Sequence, residues 1–599
     1  MRDLIRGGAA AWISTVALGL GVATAALLAA TSPAVAQSRA APEPPSGFAP
    51  KPLATAQRWM VAAAHPLAAE AGRETLRSGG TAIDAAIAAQ LALNVVEPQS
   101  SGIGGGGFAL SWDAAAKRLD AVDGRETAPA AASPALFLGD DGAPLPFIPA
   151  ATSGRAIGAP GLVRMLAMLH EDGGVLPWAQ LFAPAIRLAE DGFPVSPRLN
   201  ASLAFQTRRL TANPAAKALF FDADGEALPV GAILKQPQLA ESLRAIAAGG
   251  ADAFYTGRVA EAVVSAAQSE PRPGALSVAD LAGYTAVRRA PVCAPLRGGA
   301  LSVCGMPPPS SGGVGVAQIL ALMEAADPSY GAEEASGSSA HLFLEASRLA
   351  YADRNRYLAD PDFIPQPIEG LLAPDYIAER ALLMDVREAS PDVAEPGAPP
   401  GLDAAPAASS TGADAPGTTH ISVVDGAGNV VALTSSIEIA FGSGRMAAGF
   451  FLNNQLTDFS FTPVKDGAPV ANAAAPGKRP RSSMAPTIIF DGDRPVLALG
   501  SPGGSRIIEY VAWAAHGVVV DGLDPAEAAS RPQLSHRNRT PAVVEARSDA
   551  DALATRLRAR GHMVNRASLT SGLHIIAIGP DGALSGGVDP RREGAALGD

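Results

Sequence analysis

At Thr418 the texture of the chain changes within a few residues. Residues 386–417 are rich in Pro, Ala, Ser and Asp without an apolar period, the composition of a flexible linker. The stretch "TTHISVVDGAGNVVALTSSIE" that follows alternates like two strands joined at a Gly-rich turn. Further strand patterns come after it in "FFLNNQL", "TIIFDGDRPVLALGS" and "HIIAIGPDGAL". Before the linker, "VAAAHPLAAEAGRETLRSGGTAIDAAIAAQLALNVVEP" reads as a short strand and two Ala-rich helices, and helical patterns recur over 160–192, 238–269 and 312–358. Strands need a covering layer and amphipathic helices need a surface to cover, so the two halves are either two domains or two parts of one layered α/β core.

The N-terminus carries a second boundary. Arg2 and Arg6, the apolar run "AAAWISTVALGLGVATAALLAA" and the small-residue site "AVA" at Ala34–Ala36 predict a secretory signal over 1–36, the alternative being an uncleaved anchor. Residues 37–58 are expected to be a mobile leader, and the mature protein to be exported, periplasmic or secreted. A net charge of −12 argues against nucleic acid or a stable membrane partner, both of which call for clustered Lys and Arg. Cys293 and Cys304 flank a predicted hairpin; in an oxidising compartment they either pair or remain two buried thiols.

Several familiar chemistries lack their context. "GIGGGGF", Gly102–Phe108, fits G-x-G-x-x-G but runs into a strand pattern rather than a helix, so a dinucleotide site is not expected. The eight histidines show no metal-ligand spacing, and no metal or cofactor is predicted. "GSPGGS", Gly500–Ser505, is no nucleophile elbow, yet its glycines after a buried strand suit an oxyanion-binding turn.

Thr418 offers a different chemistry. A threonine hydroxyl needs a base, and a threonine that becomes a chain's first residue carries one in its own α-amine, whose pKa of about 7.7–8.0 suits neutral pH. Cleavage at Gly417–Thr418, between linker and strand, would create it. Taken alone, "TTH" reads as the plain opening of an edge strand.

The wider sequence resembles the γ-glutamyltranspeptidase family of N-terminal-nucleophile hydrolases. The resemblance runs through "HPLAAEAG", "GGGGFAL", "DGRETAP", "GAPGL", "MPPPSSGG", "ASRLAYADRNRYLADP", "GTTHISVVD", "FFLNNQLTDFS", "GKRPRSSMAPTI" and "GSPGGSRII". It implies an αββα four-layer sandwich, autoprocessed into a large chain, 37–417, and a small catalytic chain, 418–599, that stay together as a heterodimer forming one globular unit. It implies Thr418 as self-cleaving residue and nucleophile, Ser436 as the hydroxyl orienting it, and Gly503 and Gly504 as oxyanion donors. Arg125 with Ser482 and Ser483 would hold the α-carboxylate of a γ-glutamyl group, and Glu438, Gln455 and Asp458 its α-ammonium. The implied activity is transfer of the γ-glutamyl group of glutathione or related compounds to water or to an amino acid or peptide. The alternatives are a related acylase for glutaryl-type amides, of the cephalosporin acylase kind, and an inactive exported binding protein. The stretch "SFTPVKDGAPVANAAA" departs from the resemblance as a short lid, expected to leave the pocket open to large acceptors.

Overall fold

The helix signals of the first half mark real boundaries in the computed structural model, which describes residues 47–327, 338–402, 408–410 and 417–599. Helix Pro66–Arg77 starts where the His65 ring accepts a hydrogen bond from the Leu67 N–H at 3.1 Å, and helix Ala82–Val96 starts at a reciprocal Thr81–Asp84 capping box. Ala82–Val96 is buried on every side, which its many alanines permit. The predicted signal segment, 1–36, lies outside the described residues.

Two antiparallel seven-stranded sheets organise the rest. In the first, strand Thr418–Val424 lies between Met60–Ala63 and Val430–Ser436, and the sheet continues through Gly106–Asp113 and Arg118–Gly124 to Val287–Arg289. The second runs Ala54–Ala56, Leu584–Val588, His574–Ile578, Arg494–Gly500, Thr487–Asp491, Leu301–Gly305, Val292–Leu296. Side-chain alternation assigns the faces. Ile421, Val423, Val431 and Leu433 join the helices Pro66–Arg77, Ala82–Val96 and Leu162–Gly173 in one core, while Val430 and Ala432 meet Leu497, Leu499 and Ile575 of the other sheet. Helices Gly312–Ala326 and Ile507–Val519 cover the second sheet's outer side. The layers are therefore helix, sheet, sheet, helix.

Each sheet mixes strands from both sides of the linker, so the two textures of the sequence are one core and not two domains. Three expectations need correction. "FFLNNQL" is not a strand: only Phe450–Phe451 pairs, and Gln455–Asp458 then forms a 3-10 turn, because the Asn453 and Asn454 side chains bond to backbone groups of neighbouring segments. The leader over 37–58 is ordered in part, since Ala54–Ala56 is an edge strand whose small residues pair with Leu584–Gly586. The described parts of the linker are pinned rather than loose: Gly397 N–H donates to Asp353, Ala389 N–H to the Arg560 carbonyl, and Ser410 N–H to the Asn355 carbonyl. Cys293 and Cys304, opposite each other on paired strands, are joined as a disulfide.

Candidate active site

Thr418 is the first residue of a central strand, and its register partner is Ser436. Both hydroxyls leave the sheet on the side facing the second sheet, which places them together. Thr418 Oγ1 donates to Ser436 Oγ at 3.3 Å, and Ser436 Oγ donates to the Gly417 carbonyl at 2.6 Å while accepting from the Glu438 N–H at 2.8 Å. One serine thus touches the hydroxyl on one side of the Gly417–Thr418 bond and the carbonyl on the other. Gly417 has no room for a side chain: a Cβ would collide with the Glu438 carbonyl and the Ile439–Ala440 peptide. The chain passes this point only with glycine.

The opposite wall comes from the second sheet. Strand Arg494–Gly500 ends beside this region and turns through Gly503, at φ 142°, into a 3-10 turn Gly504–Arg506 and then helix Ile507–Val519. A side chain at Gly503 would strike the Tyr510 ring. The first N–H groups of such a run have no partner within the helix and carry its positive end. Gly504, with Thr418 and Ser436, lines a cleft of about 620 Å³, part of it open to solvent.

The cleft's inner end is built of buried charge. Arg125, fully buried, follows strand Arg118–Gly124 and is gripped by the Pro480 carbonyl at 3.0 Å, the Arg481 carbonyl at 3.1 Å and the Asp458 carboxylate. Gln455 donates one amide to Glu438 at 2.6 Å and to Asp458 at 3.1 Å, drawing the two carboxyls together. Burial, then the nearby Asp458, pushes the Glu438 carboxyl well above the usual carboxylate range. Its Oε1 has no hydrogen-bond partner among the described residues. Glu438 sits at φ 82°, a conformation uncommon for a side-chain-bearing residue and imposed here by the turn that follows Ser436. Ser482 and Ser483 line the same end, Ser483 accepting from Arg354 at 2.6 Å.

The structure therefore brings nine of the ten predicted site residues to the cleft wall, and Gly503 heads the turn beneath it. Tyr351, Arg354, Asn355, Ser505, Arg537 and Arg539 also line the cleft and were not singled out from sequence. The signal for Arg354 is a charged pair, Asp353–Arg354, directly after the apolar "LAYA" on the helix Ser338–Tyr357. Arg537 and Arg539 lie in an irregular segment with no periodic pattern, and nothing local marks them. Glu126 was also missed: it is fully buried, 3.8 Å from Arg125, and its burial raises its pKa to about 8. Among the described residues, no group of three or more His, Cys, Asp or Glu is disposed to hold a metal, and no helix is long and apolar enough to cross a membrane.

Two sheets between helical layers, with a threonine opening a central strand at the cleft, define the fold class of the N-terminal-nucleophile hydrolases. The chain belongs to the Gamma-glutamyltranspeptidase family, whose sequence pattern matches residues 68–599. It is 37% identical over 551 residues to the glutathione hydrolase proenzyme of Bacillus subtilis strain 168, covering 90% of this chain and 91% of that one. It is 38% identical over 550 residues to the protein of the same name from Escherichia coli K12, with the same coverage. Among solved structures, a cephalosporin acylase from Bacillus halodurans superposes with a TM-score of 0.79 at 28% identity, covering 92% of this chain and 97% of that one.

Proposed function

We propose that the chain is the precursor of a glutathione hydrolase and γ-glutamyltranspeptidase, and that Thr418 is both the residue that cuts it and the nucleophile it then uses. The observation that carries this reading is the contact set of Ser436, which reaches Thr418 Oγ1 and the Gly417 carbonyl at once. In self-cleavage Thr418 Oγ1 attacks the Gly417 carbonyl carbon, and the Ser436 proton on the carbonyl oxygen stabilises the charge that develops there. The peptide C–N bond breaks as the Oγ1 proton passes to the departing nitrogen, leaving an ester on Oγ1 and a free α-amine. Water then hydrolyses the ester to the Gly417 carboxylate and the restored hydroxyl. Both relatives from B. subtilis and E. coli are named as proenzymes, in keeping with this maturation.

The freed α-amine is the base that the uncut chain lacks. It takes the Oγ1 proton as Oγ1 attacks the γ-amide carbonyl of the donor, and it passes that proton to the leaving amine as the C–N bond breaks. The N–H groups of Gly503 and Gly504 receive the oxyanion, an interaction typically worth about 2.7–4 kcal/mol per donor. A γ-glutamyl group carries a carboxylate and an ammonium on one carbon, and the inner end of the cleft matches both. Arg125, with Ser482 and Ser483, takes the carboxylate through a guanidinium suited to that planar group. Glu438, Gln455 and Asp458 take the ammonium, whose charge favours ionised Glu438 and offsets the effect of its burial. Release of the ester to water or to an amine completes hydrolysis or transfer.

We further infer a large chain ending at Gly417 and a small chain starting at Thr418, held together by sheets that draw strands from both. The N-terminal pattern supports export. Likeness to a cephalosporin acylase raises a second reading, an acylase for glutaryl amides, whose acyl group lacks the ammonium. The paired carboxyls at Gln455 favour the γ-glutamyl reading. Intact mass under denaturing conditions tests maturation, with two species expected, one beginning at Thr418. Rates on γ-glutamyl and glutaryl amides test the acyl group, and faster cleavage of the glutaryl amide would reverse the assignment.

A further inference from the structure

The loop that carries Glu438 is held from outside the cleft. Between Ser436 and Leu452 the chain takes a left-handed backbone at Glu438, Phe441, Gly442 and Gly444, with φ of 82°, 63°, 53° and 75°. For Glu438 and Phe441 such angles are uncommon and persist only where the surroundings impose them. Several N–H groups of the loop donate to nearby segments: Ile439 to Asn454 Oδ1 at 3.1 Å, Phe441 to the Gln99 carbonyl at 2.9 Å and Ser443 to the Leu452 carbonyl at 2.9 Å. Three of its carbonyls are taken by a distant part of the chain.

That part is the end of helix Pro197–Leu210. The guanidinium of Arg209, in its last turn, donates from Nη1 to the Gly442 carbonyl and from Nη2 to the Ala440 carbonyl, while Nε donates to Gln206 Oε1 at 3.1 Å. Four residues on, Asn213 Nδ2 donates to the Gly444 carbonyl at 3.2 Å. Its Oδ1 caps helix Pro214–Phe220, accepting from the Ala215 and Ala216 N–H groups at 2.9 and 3.3 Å. The acceptors of Arg209 are all neutral oxygens, so this guanidinium holds backbone rather than balancing a carboxylate. Neither Arg209 nor Asn213 lines the cleft. The peptide they steady, Ile439–Ala440, directly follows Glu438 and packs against Gly417.

We propose that Arg209, assisted by Asn213, is a positioning residue for Glu438, fixing the loop so that this carboxyl meets the α-ammonium of the acyl group. The inference rests on the γ-glutamyl reading above and extends it to a helix end that touches no part of the substrate. Without the clamp the loop relaxes toward ordinary φ values, Glu438 turns away from Gln455, and the ammonium loses an anionic partner. Thr418 and the oxyanion turn stay in place, so affinity for the donor falls while the chemical step persists.

Hydrolysis of glutathione by the matured protein tests this, with kcat and KM measured separately. Arg209→Ala is expected to raise KM about tenfold and to change kcat by less than about threefold, the pattern of a lost contact to the bound substrate. Arg209→Lys keeps a donor and is expected to fall between the two. Asn213→Asp keeps the oxygen that caps Pro214–Phe220 and removes the donor to Gly444, so it is expected to raise KM while still folding. L-Glutamate, which carries the ammonium, should inhibit Arg209→Ala about tenfold less well than the wild type, whereas glutarate, which lacks it, should inhibit both alike. If Arg209→Ala fails to mature, the same measurements on Asn213→Asp decide alone. An unchanged KM overturns the proposal, as does a fall in kcat as large as the rise in KM, or inhibition by L-glutamate and glutarate weakened by the same factor. Absence of any γ-glutamyl release by the wild type would instead overturn the reading on which the inference rests.

Discussion

The inner and outer ends of the cleft are built on opposite principles. At the inner end Arg125, Glu438 and Gln455 are buried, Arg125 held by backbone carbonyls and Glu438 by the Gln455 amide. At the outer end Arg539 is exposed, and on the surface beyond Asn355 Lys465 and Val393 face solvent. Fixed dipoles and charges give their largest return where the ligand group never varies, because no reorganisation is needed on binding. An adaptable surface suits a partner that does vary. On the proposed function the inner end suits the invariant γ-glutamyl group, and the more exposed outer end is where the second reactant, water or amine, enters.

The largest expected effect ignores the contrast and removes the chemistry that both ends serve. Thr418→Ala should leave one uncut chain with no measurable turnover, read by denaturing mass and by glutathione hydrolysis. Cutting in that variant would place the nucleophile elsewhere. Gly417→Ala should also leave the chain uncut or cut it far more slowly, since the added Cβ collides with the Glu438 carbonyl and displaces the scissile bond from Ser436. Wild-type cleavage rates in Gly417→Ala would show that the strand end yields more readily than its packing implies.

A sharper test of the inner end follows from Arg125. Replacing it with Lys keeps the charge and loses the fork that spans Pro480, Arg481 and Asp458, so kcat/KM for glutathione should fall by about 100-fold. The loss should lie mainly in KM and be smaller than that of an Arg125→Ala variant. A fall below about threefold would mean that charge alone suffices at this end, and the contrast between fixed and adaptable surfaces would fail. Ser436→Ala should slow self-cleavage by a comparable factor, about 100-fold, because it removes the hydroxyl that donates to the Gly417 carbonyl.

How much of this was legible in sequence divides along the same line. Local signals sufficed where a segment turns or opens on its own residues: the glycine turn after Gly500 and the strand opening at Thr418 could each be read in place. The inner-end residues came from the family resemblance, because Arg125 and Asp458 are 333 positions apart and only the fold brings them together. Tyr351, Arg354, Arg537 and Arg539 escaped because cleft exposure is a tertiary property with no period along the chain. The stretch 386–402 looked flexible for a related reason: composition reports a missing apolar pattern, whereas its backbone is held by Asp353, Tyr357 and Arg380 from helices earlier in the chain.

The smallest expected effect concerns the layer on which the rigid end rests. His420 shares the face of Thr418 and bonds to Thr434 at 2.8 Å and Ser422 at 3.0 Å, and Ser422 donates to the His574 carbonyl on the other sheet. Burial holds the His574 ring neutral, with its pKa pushed down to about 3, and the described residues offer neither ring nitrogen a hydrogen bond. An unfolded histidine titrates near 6.5, so the folded state binds fewer protons between those values. The associated stability is complete above pH 6.5 and is lost as pH falls from 6.5 toward 3. Between pH 7 and pH 5 the term amounts to about 2 kcal/mol at most for one histidine. His574→Leu removes the titration without orphaning a hydrogen bond, so its denaturant midpoint should fall less between these two pH values than the wild type's. Equal falls would assign the acid sensitivity to the other buried histidines, His562 among them, and would separate the stability of the sheet interface from the rigidity of the cleft above it.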